Sequence, residues 1–228
     1  MFGVIYLSFC RIIYGKFSKR YFFLVEKYKK KYPNLKVTLK KCFGTEAILK
    51  FENVLVRNGS LPLYKTSMTI LMDKIGFGSD FNAIVRDKGG INCTNYIQVG
   101  EETIKIIGYR ERILNTSAIT LFYFSGGKYF MGEYFFSERH ERVTHQMAKT
   151  ILKRYSIASL GDETEFYVED EQGSILYFCD NGFSLSIKYF NPAYCQSLEQ
   201  LRSIFHRKSE GKQKPTKDIQ GNAVESKL

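Results

Sequence analysis

The chain has 228 residues, a formal net charge of +11 and 44% hydrophobic residues. A chain of this length and apolar content can bury a full core, which excludes an intrinsically disordered protein. It contains 16 Tyr and 19 Phe but no Trp, and this favours a sheet-rich fold because aromatic side chains pack well on pleated strands. Five cysteines lie far apart without a C-x-x-C pair, which argues against a zinc ribbon or a thioredoxin-type site. We expect free thiols in a reducing compartment, with one or two disulfides as the alternative in an exported protein.

The positive charge is concentrated at the two ends of the chain. Residues 1–41 carry +10 and residues 202–228 carry +4, which leaves −3 between them. A nucleic-acid-binding core spreads basic residues over its own surface, so nucleic acid is the disfavoured partner. We therefore expect a basic, aromatic amino-terminal arm that contacts an anionic membrane surface or an acidic protein. The expected contact residues are Arg11, Lys16, Lys19, Arg20, Lys27, Lys29, Lys30 and Lys31.

The first 16 residues form an apolar arm that is too short to cross a membrane. Its positive charge follows the apolar run, whereas a secretory signal carries its charge before that run. We therefore favour a cytoplasmic or peripheral membrane protein and keep an exported or envelope-associated protein as the alternative. Residues 17–32 form the first predicted helix, which ends before Pro33. The lysines in its last turns favour a membrane contact or, more simply, a solvated helix end that complements the helix dipole.

Short strand patterns separated by turn residues follow this helix. They predict strands at residues 36–41, 47–56, 66–72, 82–86, 96–99 and 103–109. No gap between them is long enough for a crossover helix, so we expect a meander. Gly76-Phe77-Gly78 resembles part of a phosphate-binding loop but lacks the third glycine, and we interpret it as a plain turn.

The most apolar stretch is a hairpin of residues 119–124 and 128–136, joined through a Gly-Gly pair. Pairing across the two glycines predicts that Phe122 faces Met131. Both faces of the hairpin are largely apolar, so we expect it to be central in its sheet and packed on both sides. Gly132 lies inside the second strand, where a glycine lets a neighbouring group approach closely.

An amphipathic helix is predicted over residues 138–155, with Ser137 as its cap. Its apolar stripe should pack on the hairpin. The helix also carries His140 and His145, which resemble the start of a zinc-protease helix but are five residues apart. This spacing turns the two side chains about 140° away from each other, so we expect no metal site there.

Three more strands are predicted at residues 165–169, 174–179 and 183–189, with Asn181-Gly182 as a two-residue turn. Alternation gives this second hairpin one apolar face, formed by Leu176, Phe178, Leu185 and Ile187. Its other face is polar and contains Tyr177, Cys179, Ser184, Ser186 and Lys188. We interpret the polar face as solvated, with a ligand site as the alternative. A last helix is predicted from Pro192 to about residue 205.

Together these elements predict an α+β protein with a large, mostly antiparallel sheet, a central covering helix, and helices near both termini. A single domain should span residues 17–207, with a subdomain seam near residues 158–162 and a disordered basic tail at residues 208–228. No catalytic motif or paired-carboxylate spacing is visible, so we expect no catalytic residue, cofactor or metal and favour a non-enzymatic binding domain. An enzyme whose active site lacks a local motif is the alternative. The oligomeric state cannot be predicted from these patterns.

Overall fold

A computed structural model describes residues 50–158 and 163–212, together with Cys10, Ile13, Leu24 and Lys27. In this part of the chain eight strands form one sheet with four helices, which confirms the predicted α+β class. The helices are α1 (Glu52–Leu55), α2 (Phe81–Lys88), α3 (Glu141–Arg154) and α4 (Leu198–Lys212). The strands are β1 (Leu63–Thr66), β2 (Cys93–Val99), β3 (Glu102–Ile113), β4 (Thr116–Ser125), β5 (Lys128–Phe136), β6 (Glu165–Asp170), β7 (Ile175–Asp180) and β8 (Leu185–Phe190).

The sheet joins two meanders through its two middle strands. Its strand order is β1-β6-β7-β8-β5-β4-β3-β2. The four strands β2 to β5 form one meander, β6 to β8 form the other, and β5 pairs with β8. The β1–β6 pair at one edge is parallel, and all other pairs are antiparallel. The β4–β5 hairpin therefore lies in the interior of the sheet, as its apolar faces predict.

A β-bulge changes the register of this central hairpin. Phe124 pairs with Tyr129 beside the turn, but Phe122 pairs with Gly132, so the predicted Phe122–Met131 pair is wrong. The register shifts between Tyr123 and Phe124 because β5 carries one extra residue there. Phe130 and Met131 consequently belong to the same apolar cluster although they are adjacent in sequence.

Apolar residues form two clusters that separate the two faces of the sheet. One cluster joins Ile84 and Val85 of α2 and Val143 and Ile151 of α3 to sheet residues such as Phe122. The other cluster lies on the opposite face of the sheet. It includes Val54 of α1 and Leu201 and Phe205 of α4. A sheet that is apolar on both faces needs cover on both, and these helices supply part of it.

Gly132 allows neighbouring side chains to approach β5 closely, as expected for a glycine inside a strand. A Cβ atom at this position would collide with the sulfur of Met72 and the hydroxyl of Tyr129. Both side chains are fully buried. The missing Cβ therefore lets the segment after β1 pack directly on β5.

Two predicted strands are helical. Residues 82–86 lie in α2, where Ile84 and Val85 are buried while Asn82 and Arg86 are exposed. The described part of the 47–56 segment contains α1. Short apolar runs are compatible with either structure, so periodicity could not separate them. The 66–72 segment forms a strand only at Thr66, whereas the predicted strand 36–41 and helix 17–32 lie outside the described residues, apart from Leu24 and Lys27, which are helical.

The second hairpin has the predicted faces but a wider turn. Asp180 pairs with Leu185, so four residues rather than two connect β7 to β8. The Asn181 side-chain oxygen accepts hydrogen bonds from the backbone amides of Phe183, at 3.0 Å, and Ser184, at 2.8 Å, and thereby builds the turn. The register moves by two residues, which leaves each side chain on its predicted face.

The helix boundaries also differ from prediction. The α3 helix begins at Glu141 rather than residue 138, with His140 rather than Ser137 at its cap position. The α4 helix runs to Lys212, five residues into the segment predicted as the tail, and residues 213–228 lie outside the described part. None of the helices in the described ranges has the length and apolar character needed to cross a bilayer.

Cysteine chemistry departs from the expectation of free thiols at one position. Cys93, the first residue of β2, is disulfide-bonded. Among the other described cysteines, Cys10, Cys179 and Cys195 are free. A disulfide bond, the alternative to free thiols, is therefore present at Cys93, which lies at one edge of the sheet.

Candidate functional site

Of the eight basic residues expected to contact an anionic surface, the described part of the chain includes only Lys27, which is helical and exposed. The other seven, Arg11, Lys16, Lys19, Arg20, Lys29, Lys30 and Lys31, lie outside the described residues. The contact between this arm and an anionic surface therefore stays a prediction.

A different site, which sequence reasoning missed, is a pocket between α3 and the sheet. Its volume is about 220 Å³. That is enough for about seven water molecules at roughly 30 Å³ each, and it is below the usual range for a drug-sized ligand. We call it the α3 pocket, and its lining residues are Asp73, Glu111, Ile113, Tyr134, Met147, Thr150, Ile151, Arg154 and Tyr189.

Strand alternation brings three of these residues to the face of the sheet below α3. Tyr134 of β5 pairs with Thr120 of β4. The hydroxyl of Thr120 donates a hydrogen bond of 2.7 Å to the Glu111 carboxylate of β3. Tyr189 of β8 packs its ring edge-on against the Tyr134 ring, with 5.9 Å between the ring centroids. Neighbouring strands therefore place a carboxylate beside two phenol rings.

Asp73 reaches the pocket from a turn in the left-handed backbone region. Asp73 has φ +52° and Lys74 has φ +62°, and the Ile75 amide donates a hydrogen bond of 2.8 Å to the Met72 carbonyl. Both central residues of such a turn need positive φ, which favours Asn and Gly. Lysine in this conformation costs about 1–2 kcal/mol. Strain of this kind is often retained at functional sites, and here it presents the Asp73 carboxylate to the sheet.

The Asp73 and Glu111 carboxylates share one cation, Lys88 at the end of α2. The Lys88 ammonium pairs with Asp73 and lies 3.3 Å from Glu111 Oε1. The other Asp73 oxygen accepts a short hydrogen bond from the Tyr134 hydroxyl. Burial would lower the pKa of Lys88, but its interactions with the two carboxylates raise the pKa above its ordinary value. Lys88 is therefore charged at neutral pH, and the three groups together carry one net negative charge.

The phenols that line the pocket are neutral hydrogen-bonding groups. Burial, together with the nearby Asp73 carboxylate, raises the pKa of Tyr134 far above its ordinary value. Burial also raises the pKa of Tyr189. Neither phenol can act as a base near neutral pH, so the pocket contains no activated tyrosinate.

Arg154 supplies a second cation at the end of α3. It is exposed, and its guanidinium lies 5.5 Å from the centre of the Tyr155 ring. Within the described residues it forms no ion pair, so its charge can interact with a bound molecule.

One tyrosine hydroxyl near the pocket lacks a partner. The Tyr109 and Tyr155 hydroxyls are both buried, but the Tyr155 hydroxyl lies beside the backbone amide of Leu71, whereas Tyr109 makes no hydrogen bond within the described part of the chain. Tyr109 lies two residues before Glu111 on β3, and Tyr155 follows Arg154 at the end of α3. An unsatisfied buried hydroxyl costs about 1–3 kcal/mol, so the Tyr109 hydroxyl is a polar group that a bound water or ligand can satisfy.

The structure brings no metal-binding constellation together within its described ranges. His140 and His145, which resemble a zinc-protease helix in sequence, line separate surface hollows. The α3 pocket contains two carboxylates but their shared Lys88 already occupies the position between them. Its arrangement suits recognition of a small polar molecule better than metal coordination.

Comparison of the chain with protein-family models, curated proteins and solved structures finds no match, so its function has to be inferred from its own residues. Asp73 and Glu111 are distant in sequence and share no motif, which is why sequence patterns did not reveal the pocket. The one usable signal was the Asp-Lys pair between the apolar residues Met72 and Ile75, where a tight turn would normally carry Asn-Gly.

Proposed function

We propose that this protein is a non-enzymatic binding domain whose α3 pocket takes a small organic ammonium ion. The observation that carries the proposal is the excess carboxylate: Asp73 and Glu111 face a single lysine, Lys88. The part of the pocket beside Asp73 and Glu111 therefore favours the positive group of a ligand, while Arg154 at the end of α3 balances the charge of the pocket as a whole. A primary amine, or the amino group of an amino acid, fits this chemistry.

The pocket walls support a cation of small size. Tyr134 and Tyr189 present aromatic surface, which attracts cations through the ring quadrupole. Ile113, Met147 and Ile151 supply apolar surface for a short hydrocarbon chain. Arg154 at the end of α3 can pair with a carboxylate on the same ligand, which favours a zwitterion over a simple amine.

We favour binding over catalysis because the described residues that line the pocket include no activated nucleophile. Its phenols are protonated, its carboxylates are held by Lys88, Thr120 and Tyr134, and its described lining residues include no histidine or cysteine. General acid–base catalysis needs a group whose pKa lies near the working pH. An enzyme with a site elsewhere remains the alternative proposal.

The test is a titration of the full chain with ethanolamine, alanine, choline and, as the anionic control, acetate. Calorimetry should detect binding of at least one of the three cationic or zwitterionic compounds and none of acetate. Replacing Glu111 with Gln removes the excess negative charge at nearly constant shape. Losing a charge-assisted contact should weaken affinity by about tenfold to a hundredfold.

Glu199→Gln is the matched control, because Glu199 is an exposed carboxylate on α4. It should leave the affinity unchanged. Equal weakening by both variants would show that overall charge, not the pocket, attracts the ligand. Absence of binding by all three compounds at millimolar concentration would refute the proposed ligand class.

We also propose that the amino-terminal arm contacts an anionic surface, because residues 1–41 carry +10 of the net charge. Attraction to an anionic membrane gains about 1 kcal/mol per basic residue and falls as salt is added. Co-sedimentation with phosphatidylserine vesicles at low and high salt tests this, with neutral vesicles as control. Changing Lys27, Lys29, Lys30 and Lys31 to Gln should weaken the salt-sensitive part, and no binding of the unaltered protein at low salt would exclude a membrane partner.

A further inference from the structure

The polar face of the second hairpin forms a buried cluster on the side of the sheet opposite the α3 pocket. In the strand register, Lys188 of β8 lies opposite Glu133 of β5 on one side and opposite Tyr177 of β7 on the other. Glu133 is fully buried, Tyr177 is 1% exposed and Lys188 is 5% exposed. The solvated face expected from sequence is therefore largely enclosed, and its polar groups need partners.

Glu133 has its full set of partners. Its Oε1 atom accepts hydrogen bonds from Lys50 Nζ, at 3.1 Å, and from Ser186 Oγ, at 2.8 Å. Its Oε2 atom accepts one from the Tyr123 hydroxyl, at 2.9 Å. Burial would raise the pKa of Glu133, but the two lysines and these hydrogen bonds lower it. The carboxylate is thus ionised and neutralised chiefly by Lys50.

Lys188 differs from Lys50 because its amine is not held. Among the described residues it makes no hydrogen bond and no ion pair, and its Nζ lies 5.4 Å from the centre of the Tyr177 ring. The Glu165 carboxylate, the other acid nearby, accepts a hydrogen bond from the Tyr177 hydroxyl. A buried lysine is normally paired, but the Lys188 nitrogen is not among the fully enclosed atoms that lack a partner, so it keeps contact with solvent.

Burial and the charge of Lys50 both make the neutral amine easier to form. Burial is the larger cause, and it lowers the pKa of Lys188 although Glu133, Cys179 and Glu165 oppose it. A neutral lysine amine in a partly dry site is a nucleophile, and such lysines form Schiff bases with carbonyl compounds.

Cys179 does not compete for this role. Burial raises the pKa of its thiol to about 11, so only on the order of 0.03% is thiolate near neutral pH. Cys179 pairs with Ser186 and with Glu165, and all three side chains are partly exposed. These three residues are the partly exposed members of the cluster and mark the side from which a small molecule would approach the amine.

We propose that Lys188 is a reactive amine that condenses with the carbonyl group of a small aldehyde or keto compound. The Nζ lone pair attacks the carbonyl carbon and forms a carbinolamine. The carbonyl oxygen then leaves as water, which takes up the two protons of the amine, and a carbon–nitrogen double bond remains. The step needs no oxidant or reductant. The Ser186 hydroxyl and Glu165 carboxylate belong to partly exposed residues of the cluster and can carry these protons from the nitrogen to the leaving oxygen.

The test traps the imine by reduction in the intact full-length chain. The protein is incubated near neutral pH with propanal or with pyruvate and sodium cyanoborohydride, and the modified lysines are mapped by mass spectrometry. Lys74 and Lys149 serve as internal references because both are exposed. With at least one probe, Lys188 should be modified faster than either reference, since burial lowers the pKa of its amine.

Two further measurements make the result decisive. The preference for Lys188 should vanish in denaturant, where all lysines have similar environments. A Lys188→Met variant should lose this adduct while Lys74 and Lys149 react as before. Modification of Lys188 at or below the rate of the references with both probes would overturn the proposal, and this comparison within the unaltered protein does not depend on whether the variant folds.

Discussion

Tyr134 donates a hydrogen bond to Asp73, a residue 61 positions earlier in the chain. This contact joins a middle strand of the sheet to the left-handed turn that precedes α2. The same turn places Met72 against Gly132, two residues before Tyr134. Asp73 is thus hydrogen-bonded to Tyr134 and ion-paired with Lys88, and both contacts depend on the conformation of the turn.

The backbone conformation of this turn predicts that Lys74→Gly stabilises the protein. Lys74 has φ +62°, and its exposed side chain contributes no ion pair within the described residues. Glycine relieves strain of about 1 kcal/mol, partly offset by its larger entropy in the unfolded chain. Urea denaturation should show a free energy of unfolding higher by up to about 1 kcal/mol. A lower value would mean that Lys74 makes a stabilising contact in solution.

Asp73→Asn separates the charge of the turn from its shape. Asparagine tolerates positive φ and keeps an acceptor for the Tyr134 hydroxyl, so we expect the fold to persist. The loss of negative charge should weaken ammonium binding as Glu111→Gln does. Calorimetric titration and a circular dichroism spectrum on the same sample test both expectations. Unchanged affinity with an intact fold would remove Asp73 from the binding site.

Gly132→Ala should destabilise the protein, because the new methyl group collides with Met72 and Tyr129, both fully buried. Overpacking of a tight core costs about 1–3 kcal/mol. Gly59→Ala is the matched control, since a Cβ atom there has no neighbour within 4 Å. Thermal unfolding should show a clear drop in Tm for Gly132→Ala and little change for Gly59→Ala. Equal Tm values would mean that Met72 repacks freely.

Patterns along the chain predicted the sheet well wherever neighbouring residues decide the structure. The central position of the β4–β5 hairpin follows from two apolar faces, and the faces of β7 and β8 follow from alternation. The bulge opposite Tyr123 was not predictable. An extra residue in β5 leaves the alternation of side chains on either side of it unchanged, and residues on both faces of this hairpin are apolar. Residues 82–86 were assigned as a strand because five residues are too few to distinguish the two periods.

The candidate sites depend on contacts that sequence distance hides. Lys88 meets Glu111 across 23 positions, and Lys50 meets Glu133 across 83. The polar residues of β7 and β8 were visible as a set, but their burial was not, since it depends on what covers the sheet. Charge placement along the chain predicted a basic arm and could not predict an acidic pocket built from three separate elements.

Cys179 and Cys195 should react slowly with alkylating reagents in the folded protein. Burial raises the pKa of Cys179 to about 11 and that of Cys195 to about 12. An ordinary thiol is roughly 10% ionised near neutral pH, so Cys179 should react at least about a hundredfold more slowly. Iodoacetamide labelling followed by peptide mapping measures this, with the protein in denaturant as the reference. Fast labelling of Cys179 would contradict its assignment as an unreactive neighbour of Lys188.

The edge of the sheet should weaken in acid through Glu169. This β6 residue pairs with Lys65 of β1, and its carboxylate accepts hydrogen bonds from Arg57, at 3.0 and 3.1 Å, and from Lys65. These contacts lower the pKa of Glu169 to about 2 from 4.5. Because the unfolded chain takes up the proton first, the contribution to stability is complete above the unfolded value and is lost as the pH falls through the folded one.

Glu169→Gln should therefore flatten the loss of stability between about pH 5 and pH 2, since glutamine does not titrate there. The comparison is the thermal unfolding midpoint of both proteins across this range, with Glu199→Gln as the control for removing an exposed carboxylate. The effect should be modest, because ion pairs near the surface contribute about 1 kcal/mol or less. Hydrogen exchange shows where stability is lost. In acid, the amides of β1 and β6 should become less protected in the unaltered protein than they are near neutral pH. Parallel acid profiles for Glu169→Gln and the unaltered protein would show that Arg57 and Lys65 do not hold this edge.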